Sequence, residues 1–360
     1  MRAVVLVGGE GTRLRPLTFT TPKQLLPVVE VPMLERVVAH LGRHGVDEVV
    51  LSIGYRPDAF LAAYPSGTVC GVRLCYAVEP EPLDTAGAIR FAADEAGVDD
   101  TFLVVNGDVL TDLDVTGLVA FHRAHGAAAT IDLTAVDDPS RYGVVPTDEN
   151  GRVLAFVEKP PAGEAPTNLI NAGTYVLEPS VLAAIPAGRR VSIERETFPA
   201  LAAQGVVFAS STSTYWLDTG TPAAYLRAHA DLIDGTRPGP PVPGAVELGE
   251  RVWTLGDPKL EGDVLPCSFV GEGAMVGPGA TVRDSVIGAG CVVEPGAAVI
   301  RSVLLPGTRV GEGSAVTGSI LGHHVVVGDG VTIEPLTVVG DAVTLEPGRR
   351  LVDARVPAPE

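Results

Sequence analysis

Short apolar runs alternate with amphipathic stretches from residue 1 to about residue 235. RAVVLV (2–7), EVVLSI (48–53), RLCYAV (73–78) and TFLVVN (101–106) are rich in Val, Leu and Ile and predict buried strands. Between them, PMLERVVAHLGRHG (32–45) and TAGAIRFAADEAG (85–97) carry helical spacing and close near glycine. This alternation predicts a Rossmann-like α/β domain over 1–235, a mixed, mostly parallel sheet with helices on both faces. In such sheets ligands gather at the carboxyl ends of the strands, so the loops that follow strands hold the candidate chemistry.

A different rhythm starts near residue 263. One aliphatic begins each unit at Val264, Val270, Val276, Val282, Ile287, Val293, Val299, Leu304, Val310, Val316, Leu321, Val327, Ile333, Val339 and Leu345. The steps are mostly six, with a five at 282–287, 299–304 and 316–321, and Ser285, Ser302 and Ser319 share the resulting 17-residue spacing. Hexads with small turn residues predict a parallel β-helix of about five three-sided coils over 263–350. A β-sandwich would not explain the fixed spacing. Residues 236–262, rich in Pro and Gly, read as a linker ordered around Trp253, and 351–360 as a tail.

Composition narrows the partners. The formal net charge of −18 disfavours nucleic acid and anionic membranes, so an anionic substrate needs a local cluster of cations or a metal. No run of 18 apolar residues exists, and Met-Arg leading directly into a strand makes a poor signal peptide, so a cytoplasmic protein is expected. Cys70, Cys75, Cys267 and Cys291 form no CxxC pair and read as reduced core residues. Of the 26 basic residues only Lys23, Lys159 and Lys259 are lysines, which hints that a compact ammonium is needed where lysine is kept.

The first strand runs into GGEGTRLRPLT (8–18). No Gly-Lys-Ser/Thr follows, which excludes a Walker A loop, and Leu14 stands where a dinucleotide fingerprint has its third glycine. The glycines still admit a base or phosphate to the backbone, and Arg13 and Arg15 supply charge-assisted contacts. The longer string GGEGTRLRPLTFTTPKQLLPV (8–28) resembles the signature of the sugar-1-phosphate nucleotidyltransferases. PLDTAGA (82–88), NGD (106–108), YGVV (142–145), FVEKP (156–160), NAGTYV (171–176) and YWLDTGTP (215–222) extend the resemblance over residues 1–235. VSIERETFPAL (191–201) and the hexapeptide tail look most like GDP-mannose pyrophosphorylases, while KQLLPV also looks like glucose-1-phosphate thymidylyltransferases. The hexapeptide tail resembles left-handed β-helices in particular.

The resemblance implies attack of a sugar 1-phosphate on the α-phosphorus of a nucleoside triphosphate, with pyrophosphate leaving. Such a reaction depends on positioning and charge neutralisation. By resemblance, Lys23 and Arg13 are catalytic and meet the triphosphate, while Leu6, Gly8, Gly9, Gly11, Thr12, Glu79, Asp84 and Gly87 complete a nucleotide site. Arg15 ranks lower, since a structural ion pair serves it equally well. Asp108 and Asp218 match the family's metal aspartates, and two carboxylates with substrate phosphates suit Mg²⁺. Gly143, Glu158, Lys159, Asn171 and Gly173 are the implied sugar-phosphate site, with a plain Glu158–Lys159 surface ion pair as the bland alternative.

Base choice rests on Glu79, where thymidylyl- and uridylyltransferases typically have glutamine. A carboxylate accepts two parallel hydrogen bonds from guanine, whereas thymine and uracil present carbonyls to it, so GTP is favoured, with Glu81 the fallback reader. Asp84 replaces a glycine common in the family, and Asp tolerates the left-handed conformation better than most residues. Mannose-1-phosphate is the favoured sugar, and dTTP with glucose-1-phosphate the alternative. Two further readings are an acyltransferase tail using His323 and His324, and a catalytically silent paralogue, disfavoured because Lys23, Asp108 and Asp218 are all present. A homo-oligomer assembled through the β-helix is expected.

Overall fold

The computed structural model describes residues 1–358, so the last two residues of the expected 351–360 tail lie outside the described residues. Two compact units form, and they do not follow chain order. One gathers Met1–Gly9 with Leu34–Trp216, and the other gathers Glu10–Met33 with the chain from Leu217 onward.

The first unit holds a ten-stranded mixed sheet. Arg2–Leu6 lies between Glu48–Ile53 and Phe102–Asn106, parallel to both, and Val72–Val78 continues the parallel run beyond Glu48–Ile53. All six residues of Glu48–Ile53 are buried, as a strand covered on both faces requires. On the far side, Leu169–Leu177 runs antiparallel to Phe102–Asn106 and to Ala129–Ala135, with Val207–Ser211 parallel to the latter. Ile89, Ala92 and Ala93 of the helix Asp84–Glu95 bury against Val4, Val50 and Val104 of the sheet. The parallel run leaves Leu6, Ile53, Val78 and Asn106 at one edge, where the loops implied by the sequence begin.

Within this core Asp132, on Ala129–Ala135, is 2% exposed and its Oδ1 meets no hydrogen-bond partner. Burial pushes its carboxyl from an ordinary 3.8 up to about 7, although a Leu133 backbone hydrogen bond pulls it down. A carboxyl raised on folding contributes stability at low pH that is lost as pH climbs from about 4 to about 7. Asp132→Asn is therefore expected to flatten that slope and raise Tm at pH 8. Thermal unfolding from pH 5 to 8 checks this, and an unchanged slope refutes it.

In the second unit three sheets stack as the faces of a β-helix, parallel throughout except where Val246–Gly249 pairs antiparallel with Val252–Thr254. Every aliphatic that the repeat aligns from Val270 to Leu345 lies in one buried cluster, with Val264 packed against it. The coils begin earlier than the sequence implies. Val252–Thr254 pairs in parallel with Ser268–Val270, and Lys259–Leu260 pairs with Met275–Val276, so much of the expected linker 236–262 belongs to the β-helix sheets. Trp253 explains the order, because its buried indole N–H donates to the Ile233 carbonyl at 3.1 Å. At the other end Arg355–Val356, within the expected tail, pairs with Val338–Val339.

The five-residue steps have a local cause. Asp284, Arg301 and Gly318 each adopt positive φ at the shortened corner, and a serine follows each. The Ser302 amide donates to Ser285 Oγ at 3.1 Å, and the Ser319 amide donates to Ser302 Oγ at 3.2 Å. Ser302 Oγ donates in turn to the Ile300 carbonyl at 2.8 Å. The ladder satisfies buried amides that no strand partner reaches, since these serines are at most 1% exposed. Ser302→Ala leaves the Ser319 amide without this acceptor and is expected to cost about 1–3 kcal/mol. Denaturant unfolding measures it, and a loss below experimental error rules the ladder out as a stabilising element.

The cysteines differ from a uniformly buried set. Cys291 is buried and its thiol is pushed up to about 12 by burial, whereas Cys70 is exposed and Cys75 and Cys267 are half-buried; all four are free thiols. Among the described residues no helix is long and apolar enough to cross a membrane.

Candidate active site

At the carboxyl edge of the first unit's sheet, backbone comes close to backbone. A Cβ on Gly8 would lie 3.2 Å from the Gly54 amide nitrogen and 3.4 Å from Glu79 Oε1. Glu79 follows Val72–Val78 and is held from two sides: Ser52 Oγ donates to its Oε1 at 3.1 Å, and the Leu83 amide donates to its Oε2 at 3.0 Å. The carboxylate is thus oriented against the Gly8 backbone, while Glu81 is exposed. Ser52 and Gly54 were not singled out from sequence; the visible signal was a glycine directly after the buried strand EVVLSI.

Leu6 ends its strand and its carbonyl accepts from the Gly107 amide at 3.0 Å. Gly107 must be glycine, since a Cβ there would sit 2.9 Å from that carbonyl oxygen, and the close packing fixes where Asp108 leaves the sheet. Gly9 is exposed, with nothing within 4 Å of an added Cβ. Asp84 takes φ 60, the left-handed region, and its Oδ1 accepts from the Thr85 amide at 2.8 Å. Gly87, expected at the nucleotide, also packs tightly against the segment 189–191. Its amide donates to the Val191 carbonyl at 3.2 Å, and an added Cβ would lie 2.9 Å from the Arg189 carbonyl oxygen.

A second cluster forms around Leu169–Leu177, whose register slips between Asn171 and Tyr175. The slip aims Asn171: its Nδ2 donates to Tyr175 Oη at 2.8 Å, and its Oδ1 accepts from the Gly173 amide at 2.9 Å. Gly173 has φ 80, and an added Cβ would lie 2.5 Å from Asn106 Nδ2, so both conformation and space demand glycine. Gly143 pairs with Glu158, and an added Cβ there would strike the Phe156 ring at 2.5 Å. Lys159, at φ 49, reaches Glu158 Oε1 at 3.2 Å; the lysine side chain is 58% exposed and the glutamate 20%.

Burial, then the charge of Glu194, holds the Tyr175 phenol far above its ordinary range, and Glu158 adds a smaller push in the same direction. Glu194 also accepts from Thr85 Oγ1 at 2.8 Å and Ser192 Oγ at 2.9 Å. Its motif, VSIERETFPAL, carried family resemblance only, and nothing in its spacing marked Glu194 as a neighbour of Tyr175. Trp216 Nε1 donates to the Ala172 carbonyl at 2.8 Å, and its ring lies 5.8 Å from that of Tyr142, an aromatic pair beside the same bulge.

The signature segment lies in the second unit. Gly11, at φ 63, starts the short helix Thr12–Leu14, and its carbonyl accepts from Thr18 Oγ1 at 2.9 Å. An added Cβ on Gly11 would come within 3.1 Å of Lys23 Cβ, so Lys23 lies against the glycine turn, 7% exposed. Arg13 and Thr12 are exposed. Arg13 Nη2 and Asp218 Oδ1 converge on Gly220, lying 2.4 and 2.9 Å from where its Cβ would stand, and the Gly220 amide donates to Asp218 Oδ1 at 2.8 Å. Arg15 pairs with Glu10 at 2.9 Å, which gives it the structural role already open to it.

Among the described residues no group of three or more His, Cys, Asp or Glu side chains gathers as a metal site. Asp108, in the turn after Phe102–Asn106, and Asp218, at the end of the strand Trp216–Asp218, are each half-buried hard oxygen donors of the kind a divalent cation takes alongside phosphate oxygens and water. His323 and His324 occupy a β-helix corner. The His323 amide donates to Asp341 Oδ1 at 2.8 Å, and His324, at φ 56, covers Gly307, where an added Cβ would meet its Nδ1 at 2.3 Å.

Comparison with known proteins gives the family and the fold. A model described as "Nucleotidyl transferase" matches residues 2–235, and one described as "GMPPB C-terminal domain" matches residues 264–359. The mannose-1-phosphate guanylyltransferase of Mycobacterium tuberculosis is 42% identical over 287 residues, 79% of each chain. A crystal structure of HddC from Yersinia pseudotuberculosis complexed with GMP-PN covers 63% of this chain and 97% of its own, at 31% identity and TM-score 0.55. That of a putative glucose-1-phosphate thymidylyltransferase from Bacillus anthracis covers 64% and 94%, at 27% identity and TM-score 0.57. Glycine-lined strand ends, a buried signature lysine and a family match across nearly two thirds of the sequence together make this chain a nucleotidyltransferase, a member of the nucleotidyl transferase family.

Proposed function

We propose that the enzyme transfers guanylyl from GTP to mannose-1-phosphate, giving GDP-mannose and pyrophosphate. The observation that carries the base assignment is Glu79, held by Ser52 and Leu83 against the Gly8 backbone. An ionised carboxylate has about four acceptor sites, and the two hydrogen bonds it already accepts leave capacity for the N1–H and N2–H of guanine. A uracil or thymine carbonyl would meet an acceptor instead of a donor. The likeness to the Mycobacterium tuberculosis guanylyltransferase and to the HddC complex with GMP-PN supports the same choice. The 27% identity to a putative thymidylyltransferase keeps dTTP with glucose-1-phosphate as the second reading.

In this reading an oxygen of the sugar phosphate attacks the α-phosphorus, the bond from that phosphorus to the bridging oxygen breaks, and pyrophosphate carries the electrons away. Lys23 holds the charge that grows on the phosphoryl oxygens, and its burial strengthens that contact. Arg13 meets the leaving phosphates, with Gly11 and Thr12 offering backbone amides. Glu158 accepts from sugar hydroxyls, Lys159 holds the sugar phosphate, and Asn171 orients the sugar with Gly143 and Gly173 at its edge. Asp108 and Asp218 would hold Mg²⁺, which when bound would neutralise phosphate charge. Copies of the chain assemble through the β-helix, whose first strand pair exposes Val246 (59%) and Leu248 (60%).

Pyrophosphate release across GTP, dTTP, UTP, ATP and CTP, with mannose- and glucose-1-phosphate and with or without Mg²⁺, tests the assignment. GTP with mannose-1-phosphate and Mg²⁺ is expected to turn over fastest, and Lys23→Ala to lower kcat by about 10²–10³ while the circular dichroism spectrum is kept. No turnover with any pair would overturn the reading. Glu79→Gln is expected to raise KM for GTP about tenfold, with a smaller effect on dTTP, as loss of one charge-assisted hydrogen bond implies; equal changes would remove Glu79 as the reader of the base.

A further inference from the structure

Residues 10–33, which carry the signature lysine, pack with the β-helix in one compact unit. The contacts fall on a single corner of the coils. Gly271, Gly288, Leu305, Gly322 and Gly340 are equivalent positions, because the amide of each donates to the carbonyl one coil further on: Ile287, Leu304, Leu321, Val339 and Val356. The residues just after them form a column of Glu272, Ala289, Pro306, His323 and Asp341.

The signature segment meets this column at two heights. Thr20 Oγ1 donates to Asp341 Oδ2 at 2.5 Å, and the Ala289 amide donates to Glu30 Oε1 at 2.7 Å. Between these anchors lie three coils, roughly 14 Å at the usual spacing of neighbouring strands. Lys23 sits three residues after the first anchor and seven before the second. Pro16 adds a third contact, since a Cβ on Gly340 would lie 3.1 Å from its ring. Asp341 is itself held, its other oxygen accepting from the His323 amide at 2.8 Å.

The chain between the anchors is strained. Pro27–Val28 and Val31–Pro32 pair antiparallel around a two-residue turn in which Val29 has φ 47 and Glu30 has φ 66. Such turns require positive φ and are normally built from Gly, Asn or Asp; a β-branched valine there persists only where its surroundings over-determine it. Those surroundings belong to the same unit: the Val29 amide donates to His229 Nδ1 at 3.2 Å, Tyr225 Oη donates to the Pro27 carbonyl, and Glu30 is held by Ala289. Burial raises the pKa of the Glu30 carboxyl, the Ala289 amide lowers it and nearby Glu272 raises it, so the side chain is held at this corner at an electrostatic cost.

We infer that the β-helix is a splint for the catalytic segment, with Asp341–Thr20 and Ala289–Glu30 as positioning contacts that fix the Lys23 side chain where the triphosphate is neutralised. The inference deepens the proposed reaction and rests on it for the role of Lys23. Its consequence is that contacts spanning 321 and 259 positions in sequence set kcat without touching substrate.

Two readouts test it in the full-length enzyme. The first is kinetic, with GTP and mannose-1-phosphate. Thr20→Val and Glu30→Ala are each expected to lower kcat about tenfold with KM for the sugar phosphate unchanged. Thr20→Ser, which keeps the hydroxyl, restores kcat, and Thr20→Val combined with Asp341→Ala is no worse than the poorer single variant. The second needs no turnover: acetylation of Lys23 by a soluble reagent, followed by mass spectrometry. Lys23 is nearly buried while Lys159 and Lys259 are exposed internal references, and Thr20→Val is expected to speed Lys23 labelling severalfold with the references unchanged. Slower turnover with unchanged labelling, or faster labelling with unchanged kcat, would each overturn the splint. If the wild type turns over no nucleotide and sugar pair, the proposed reaction fails, and the labelling arm still decides whether the corner column holds Lys23.

Discussion

Burying the side chain of a lysine costs desolvation that only polar or anionic company offsets. Lys23 is 7% exposed and lies against the turn at Gly11, where no larger residue leaves room. The local fold of residues 10–33 is arranged around this constraint. A left-handed glycine starts it, Thr18 closes the turn onto that glycine, and a hairpin with two positive-φ residues ends it. The acidity of the rest of the chain gives the arrangement its meaning. With a net charge of −18, cations held at one place make a local field that the surface around them does not cancel.

The β-helix supplies rigidity of a kind short loops lack. Each coil hydrogen-bonds to its neighbours, so a corner position is repeated at a fixed rise along the stack. A segment tied to one corner column at two points three coils apart has its ends fixed to within the tolerance of that ladder. The serine ladder on another corner serves the same stack internally, capping amides that the five-residue step withdraws from strand pairing. The tail of the sequence therefore shapes the chemistry of its beginning.

The mixed sheet solves a different problem. Its parallel core leaves Leu6, Ile53, Val78 and Asn106 at one edge, and glycines at 8, 54, 107 and 173 let loops close tightly there. Tight closure orients Glu79 through Ser52 and Leu83 and turns Asn171 toward Tyr175. Gly87 obeys the same rule with another beneficiary: the space it vacates is filled by the Arg189 carbonyl, which ties the helix Asp84–Glu95 to the VSIERETFPAL segment.

Periodicity made the two architectures legible in the sequence. Strand-helix alternation and hexads each follow from burying one face per repeat, and the aligned aliphatics from Val270 to Leu345 do share one core. Motif strings carried the family and its reaction, because that signature demands particular residue types at particular spacings. Where the coils begin was hidden, since Val252–Thr254 and Lys259–Leu260 lie in Pro- and Gly-rich sequence and gain their order from pairing and from one indole hydrogen bond. Ser52, Gly54 and Glu194 were hidden for a related reason: each acts on a residue distant in sequence, and no local pattern records such a partner. Sequence alone determined the elements, the repeat and the family, because those rest on local periodicity and spacing. Only the tertiary structure decided that residues 10–33 belong with the β-helix, because Thr20 and Asp341 become neighbours through the packing of a chain that separates them by 321 positions.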